Sequence, residues 1–348
     1  MVDIVLKAIL LLSPICYTTG FDLERFNVLF FYCAVMALVG ASFIDKPKRH
    51  YNCPVMGIFL IFLILQLFWH NFDGAITSAT LKICLSLIGI RIIALYASRS
   101  DVFLKYMVWG GLVNIFVLAL QNIGYNPIFN LPCYGEIGGM MGSGPRLATY
   151  LTLTLPFAIK VNPLLALLYV VVCLSLKEVT ILFLLIFMIF LRIKRASHIG
   201  SGIFLVITGI SGFLLFKDQI VQSLNIRWLV WEPTIMMIFN SPQQGYGIGI
   251  FPFVSSQFIK GAVYADNVFS SLIQFIFAVG LPGFLFIGWF MRDFIKNIRF
   301  DHETIAMIAL MVLMVVEYPF EIPRMWPTIM AVIGFYLITK KEKMKWIH

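Results

Sequence analysis

Three arginines and three carboxylates stand at the ends of long apolar runs: Arg146, Arg227 and Arg324, with Asp266, Glu317 and Glu321. Charges in such places are costly, so each asks for a functional reason. A guanidinium is permanently charged and forks onto phosphate oxygens in pairs. Three of them gathered on one face suit a lipid-linked phosphate or diphosphate. Taken singly, each is equally explained as a helix-end anchor that snorkels to the interface. A carboxylate or His70 would supply a general base, if it reaches the reacting hydroxyl. His70 alone falls on that face. His50, His198, His302 and His348 fall on the other. A lone histidine there also reads as a polar helix end.

Other residues extend the set. Arg227 and Trp231 are four apart, so on a helix they share a face and are placed to stack. An interfacial Trp belt accounts for Trp231 as well. Asp266-Asn267 runs straight into an apolar stretch, where Asp266 reads either as a base or as a helix cap. "GYGIG", Gly245 to Gly249, resembles a phosphate loop but lacks the strand–helix context. A turn that carries the chain back onto a helix bundle suits it better. Lys82 and Arg91 fall inside an apolar run and must face the interior or snorkel.

The elements that hold these residues are membrane helices. Only 12% of the 348 residues are charged, about half the soluble norm, while 60% are hydrophobic. Mean hydropathy is +0.92, more apolar surface than a soluble core could bury. Twelve runs are near spanning length: 4–19, 27–44, 55–70, 78–97, 102–121, 147–161, 162–176, 178–193, 199–216, 267–291, 304–319 and 326–340. Lys7 interrupts the first run and no cleavage site follows, so it reads as a span rather than a signal peptide. The expected fold class is all-α, a single integral membrane domain over 1–348. Basic blocks at 46–49, 192–195, 292–299 and 340–345 then fall on one side, which the positive-inside rule makes cytoplasmic, with both termini. The net charge of +9 is spent on these blocks, so no nucleic-acid partner is implied. Six scattered cysteines have neither disulfide nor metal spacing, and no metal or cofactor is expected. Two outer loops are too long for connectors, 122–146 and 217–266. The larger is apolar and aromatic, and is expected to hold interfacial helices.

Four stretches carry a resemblance. "GSGPRLATYLTLTLPF" at 142–157 is similar to an entry into a span ending in Leu-Pro. "RWLVWEPTIMMIFNSPQQGYGIGIF" at 227–251 is similar to an Arg–Trp helix followed by Pro and a GxG turn. "ADNVFSSLIQFIFAVGLPG" at 265–283 is similar to an "HN" step before an apolar helix. "VEYPFEIPRMW" at 316–326 is similar to a Glu-Tyr-Pro motif near the last span. Together, in this order and on one side, they resemble the bacterial O-antigen polymerase and O-antigen ligase superfamily, which includes protein O-oligosaccharyltransferases.

The resemblance implies a glycosyltransferase in the inner membrane. Its donor is a glycan on undecaprenyl diphosphate at the periplasmic face. Its acceptor is another carrier-linked glycan, lipid A-core or a protein hydroxyl, and membrane lipids surround it. Arg146 and Arg227 match arginines that hold the diphosphate, with Trp231, Asn267, Glu321 and Arg324 beside them. Asp266, Glu317 and His70 are the candidate bases. Many members place His where this chain has Asp266, which favours a polymerase over a ligase. The alternatives from other classes are a lipid-linked-glycan transporter and a non-catalytic protein that binds the same lipid. A transporter would favour internal repeats, and the sequence shows none.

Overall fold

The computed structural model describes residues 1–15, 23–48, 54–71, 73–98, 101–125, 139–141, 143–176, 198–258, 268–296 and 301–344. Those residues form helices and turns, with no strand among them. The helices are α1 (Val2–Leu12), α2 (Leu23–Ile44), α3 (Pro54–Trp69), α4 (Gly74–Tyr96), α5 (Asp101–Asn122), α6 (Gly144–Val161) and α7 (Pro163–Ser175). They continue with α8 (His198–Asn240), α9 (Phe251–Phe258), α10 (Ser271–Val279), α11 (Leu281–Lys296), α12 (His302–Val316) and α13 (Trp326–Met344). Among the described residues, three helical segments are long and apolar enough to cross a membrane: Asn27–Ile44, α4 and α5. The chain is therefore a helical membrane protein. The expected span 178–193, much of the 122–146 loop, Asp266 and Asn267 lie outside the described residues.

The core forms around α6. Leu147 to Ala158 are buried without interruption, so this helix is enclosed on every side. Two of its three threonines bond locally: Thr149 and Thr154 donate to the carbonyls of Pro145 and Tyr150, four residues back. Helices α5, α7 and α12 pack around it. Gly111 of α5 leaves room for the Tyr169 ring, whose hydroxyl donates to Val108 O at 2.9 Å. At one end of this group Lys160 pairs with Asp101 and lies 3.8 Å from Glu303. These contacts make α5 and α12 antiparallel to α6. Arg146, at the start of α6, is thereby carried to the opposite end.

Asn114 locks that opposite end. It is fully buried, donates to Pro14 O and Gly110 O, and accepts from Met140 N, each at 3.0 Å. It ties α1, α5 and the chain leading into α6 to one side chain. Asn114→Ala strands buried backbone groups, and an expected loss of about 2–3 kcal/mol should appear as a lower unfolding temperature in detergent.

Helices α4 and α13 run parallel. A Cβ on Gly89 would meet Met330 Sδ, and one on Gly334 would meet Ile93. Both contacts share one offset, which sets Trp326 level with about Leu85. Helix α13 thus starts roughly 16 Å inside the first residue of α4. The turn before it, 317–325, is sunk into the bundle: Glu317, Ile322, Arg324 and Met325 are all buried. Irregular backbone is tolerated at such depth only inside protein or beside a cavity.

One sequence expectation gains detail and another needs correction. The expected 217–266 loop, with its interfacial helices, is helical in its first part, because α8 runs on through 43 residues to Asn240. Lys217 and Asp218 end the apolar run but contain no helix breaker. Hydropathy marks where lipid ends, not where a helix ends. At about 64 Å, α8 is twice as long as a hydrocarbon core is thick. The expected span 267–291 is also interrupted. Helix α10 ends at Gly280, whose φ of +70° a side chain resists, and α11 restarts at Leu281-Pro282.

That interruption is closed by the glycine turn. Tyr246 N donates to Phe277 O and Gly247 N to Ala278 O, both at 3.0 Å. Leu281 N donates to Pro242 O at 2.6 Å. Gln66 of α3 adds a bond from Nε2 to Gln244 O at 2.9 Å. The carbonyls freed by the break are thus satisfied by 242–247, as a membrane interior requires. Gly245, Gly247 and Gly249 all have positive φ, as a turn of this tightness needs. The expectation that this stretch returns the chain to the bundle holds.

Candidate functional site

Helix α8 presents one inward stripe in its last third. Arg227, Val230, Trp231, Thr234 and Met237 follow helical spacing, while Trp228, Leu229, Met236 and Phe239 are exposed. Arg227 Nη2 donates to Glu317 Oε1 at 2.6 Å, with 14% and 6% of the two side chains exposed. Glu317 ends α12, and its backbone carbonyl accepts from Ser271 N at 3.0 Å. Helices α8, α10 and α12 therefore meet at this pair.

Tyr318 and Arg146 complete the cluster. Arg146 donates a hydrogen bond to the Tyr318 hydroxyl, and Arg227 and Glu317 also lie near it. Phe269 crosses the Tyr318 ring edge-on at 5.9 Å. The result is two guanidiniums, a carboxylate and a phenol in a water-poor setting. Such a group can grip an oxyanion and take a proton.

The other expected site residues scatter. Trp231 does not stack on Arg227: its Nε1–H donates to Val268 O at 2.8 Å. The described cation–ring contacts involve Lys7, Lys82 and Lys105 instead. Arg324 is sunk in the turn and donates from Nε to Asn27 Oδ1 on α2 at 3.2 Å. Glu321 sits in a 3-10 turn, Pro319–Glu321, and its side chain lies outside the described residues. So do Asp266 and Asn267. The cap role weighed for Asp266 belongs to Ser270, whose Oγ accepts from Ile273 N. The helix starts four residues later than the apolar run suggested.

His70 stands apart from the pair. It packs against the 245–249 turn, near Gly247, which is bonded to the last turn of α10. Glu317 is bonded to the first residue of α10. Most of that helix, roughly 10 Å, lies between them. A base must come within about 3 Å of its proton, so His70 and Glu317 cannot serve the same hydroxyl.

Gln66 and Tyr318 were missed as site residues. Gln66 had a signal: it is a lone amide in an apolar run, one helical turn from His70. Tyr318 lay within the Glu-Tyr-Pro stretch but carried no charge to draw notice.

The cluster defines a class only coarsely: a helical membrane protein with a buried Arg–Glu–Tyr centre at one end of its bundle. No protein-family model matches the chain, and no curated protein matches it either.

Proposed function

We propose that the chain is a periplasmic-face glycosyltransferase of the O-antigen polymerase type. It moves a glycan from undecaprenyl diphosphate to the hydroxyl of a carrier-linked glycan. The observation that carries the reading is the convergence of Arg146 and Arg227 on Glu317 and Tyr318. The same surroundings suit ligation to lipid A-core or to a protein hydroxyl, which differ only in the acceptor.

The chemistry follows from the residues. The acceptor oxygen attacks the anomeric carbon, and the bond from that carbon to the diphosphate breaks. The diphosphate leaves with the electron pair, and its growing charge is met by Arg227 and Arg146. The acceptor proton passes to a carboxylate. Glu317 is suited to that task because an arriving diphosphate competes with it for Arg227. Released from Arg227, the buried carboxylate is left without its ion-pair partner and becomes a stronger base.

The test is turnover of a purified, reconstituted chain on undecaprenyl-diphosphate glycan, followed by product length on a gel. Glu317→Gln, which cannot accept the proton, should lose most activity. Full activity in that variant would remove Glu317 as the base. No turnover of any carrier-linked glycan, with acceptor present, would remove the glycosyltransferase reading.

A further inference from the structure

Four polar atoms of the α3–α4 pair are buried without a hydrogen-bond partner: Gln66 Oε1, His70 Nε2, Thr77 Oγ1 and Thr80 Oγ1. Gln66 and Thr80 are enclosed, at 0% and 2% exposure. An oxygen stranded in this way is costly, and a ligand that satisfies it removes the cost.

The atoms are brought together by the fold. A tight turn joins α3 to α4, with Asp73 N donating to His70 O, so the two helices run antiparallel. Near that turn, the Cβ position of Gly247 lies 2.6 Å from Ile76 Cδ1 and 3.5 Å from His70 Cδ2. One helical turn deeper, Gln66 follows His70 on the same face of α3, and Thr80 follows Ile76 on the same face of α4. Gln66 and Thr80 are thus set opposite each other, with Thr77 three residues from Thr80. Gln66 Nε2 donates to Gln244 O at 2.9 Å and to Ala278 O at 3.3 Å, which turns Oε1 away from those carbonyls.

The field at this place is negative. Gln66 lies in the last turn of α3 and Ala278 in the last turn of α10, so two helix C-termini meet here. The opposing N-terminus of α4 is capped by the Asp73 carboxylate, which accepts from Ala75 N and Ile76 N.

We infer that these residues form a binding site for a monovalent alkali cation, with Gln66 Oε1, Thr77 Oγ1 and Thr80 Oγ1 as its side-chain ligands. Neutral, hard oxygens suit such an ion. Calcium and magnesium call for carboxylates, which these ligands lack, and a soft transition metal calls for imidazoles or thiolates rather than hydroxyls. His70 closes the outer rim. The bound cation fastens α3 and α4 to the last turn of α10, whose first residue is bonded to Glu317 O. A cation-dependent turnover at the Arg227–Glu317 pair rests on the proposed function; the cation site does not.

The full chain in detergent would be unfolded by heat in NaCl, KCl or choline chloride at one ionic strength. Sodium or potassium is expected to raise the unfolding temperature, saturably, above its value in choline. Thr80→Val keeps the shape without the oxygen. In choline it should be at least as stable as wild type, because a stranded hydroxyl is gone. Its apparent cation affinity should fall about ten-fold or more, and Thr77→Val should act in the same direction. Thr152→Val removes a buried, unpartnered hydroxyl from α6 and should leave the cation response unchanged. Equal unfolding temperatures in the three salts overturn the site, and so do Thr80→Val and Thr77→Val chains that respond like wild type. Stabilisation by Zn2+ but not by sodium or potassium overturns the alkali assignment. Nothing is turned over in this measurement, so a chain that binds the cation without transferring a glycan keeps this site and loses only the proposed reaction.

Discussion

Arg227→Ala is expected to abolish chain extension, by about a hundred-fold or more in turnover. Surface polysaccharide in a host lacking its own polymerase should collapse from a ladder to single repeats. The size of the effect comes from two roles in one side chain. Arg227 faces the leaving diphosphate in the proposed reaction, and it neutralises Glu317 before substrate arrives. Removing it leaves a buried carboxylate without its partner, which typically costs about 3–5 kcal/mol. Lost folding and lost chemistry must therefore be separated. Arg227→Ala combined with Glu317→Gln removes both charges and should recover most of the stability. It should recover none of the turnover. Arg227→Lys keeps the charge but not the fork, and should sit between. An intact ladder in well-inserted Arg227→Ala would end the glycosyltransferase reading at this site.

Gly280→Val is expected to prevent the native fold. A Cβ at Gly280 would stand 2.7 Å from both Gly245 N and Pro242 O. A Cβ at Gly245 would stand 2.5 Å from Ala278 O. The clash is backbone against backbone, so no side chain can rotate away. Valine also resists the φ of +70° at Gly280. Separating the two segments would expose Phe277 O and Ala278 O, which costs several kcal/mol in an apolar setting. The measurement is the yield of monodisperse protein after detergent extraction, with Gly288→Ala as control. Gly288 lies within α11 and has open space around its Cβ position. That control should be neutral or slightly stabilising. Wild-type yield from Gly280→Val would mean that the interruption is not structurally required.

Helix positions were largely legible because lipid imposes a single long apolar signal on each. Runs such as 78–97 and 102–121 became α4 and α5 with shifts of a few residues. The break at Gly280 was not legible in the same terms. Leu272 to Phe290 reads as continuous hydrophobicity, and only "VGLPG" hinted at a glycine–proline stop. What forces the break is the turn at 245–247, more than thirty residues away, which no local pattern reports.

The site was legible as a list but not as a geometry. Arg146, Arg227 and Glu317 were expected on one face, and they meet. Their pairing depends on the rotational register of α8 where it passes α10 and α12, and that is set by packing. Arg324 carried the same charge and the same sidedness, yet belongs to a different place. Trp231 shared a helical face with Arg227, but its indole N–H found a nearer carbonyl. Charge and spacing name the participants, while burial decides which of them face one another.

One consequence follows from the unbroken length of α8. Pro233 is the one proline inside this helix and lies beyond Arg227, so the part up to Arg227 acts as one rod, which places Arg227 about 43 Å from the first residue. Tilting that rod by about 5° around its foot would sweep Arg227 sideways by about 4 Å, further than the 2.6 Å that joins it to Glu317. Bilayer thickness is one of the things that sets helix tilt. A change in the tilt of α8 would therefore be felt at the Arg227–Glu317 pair.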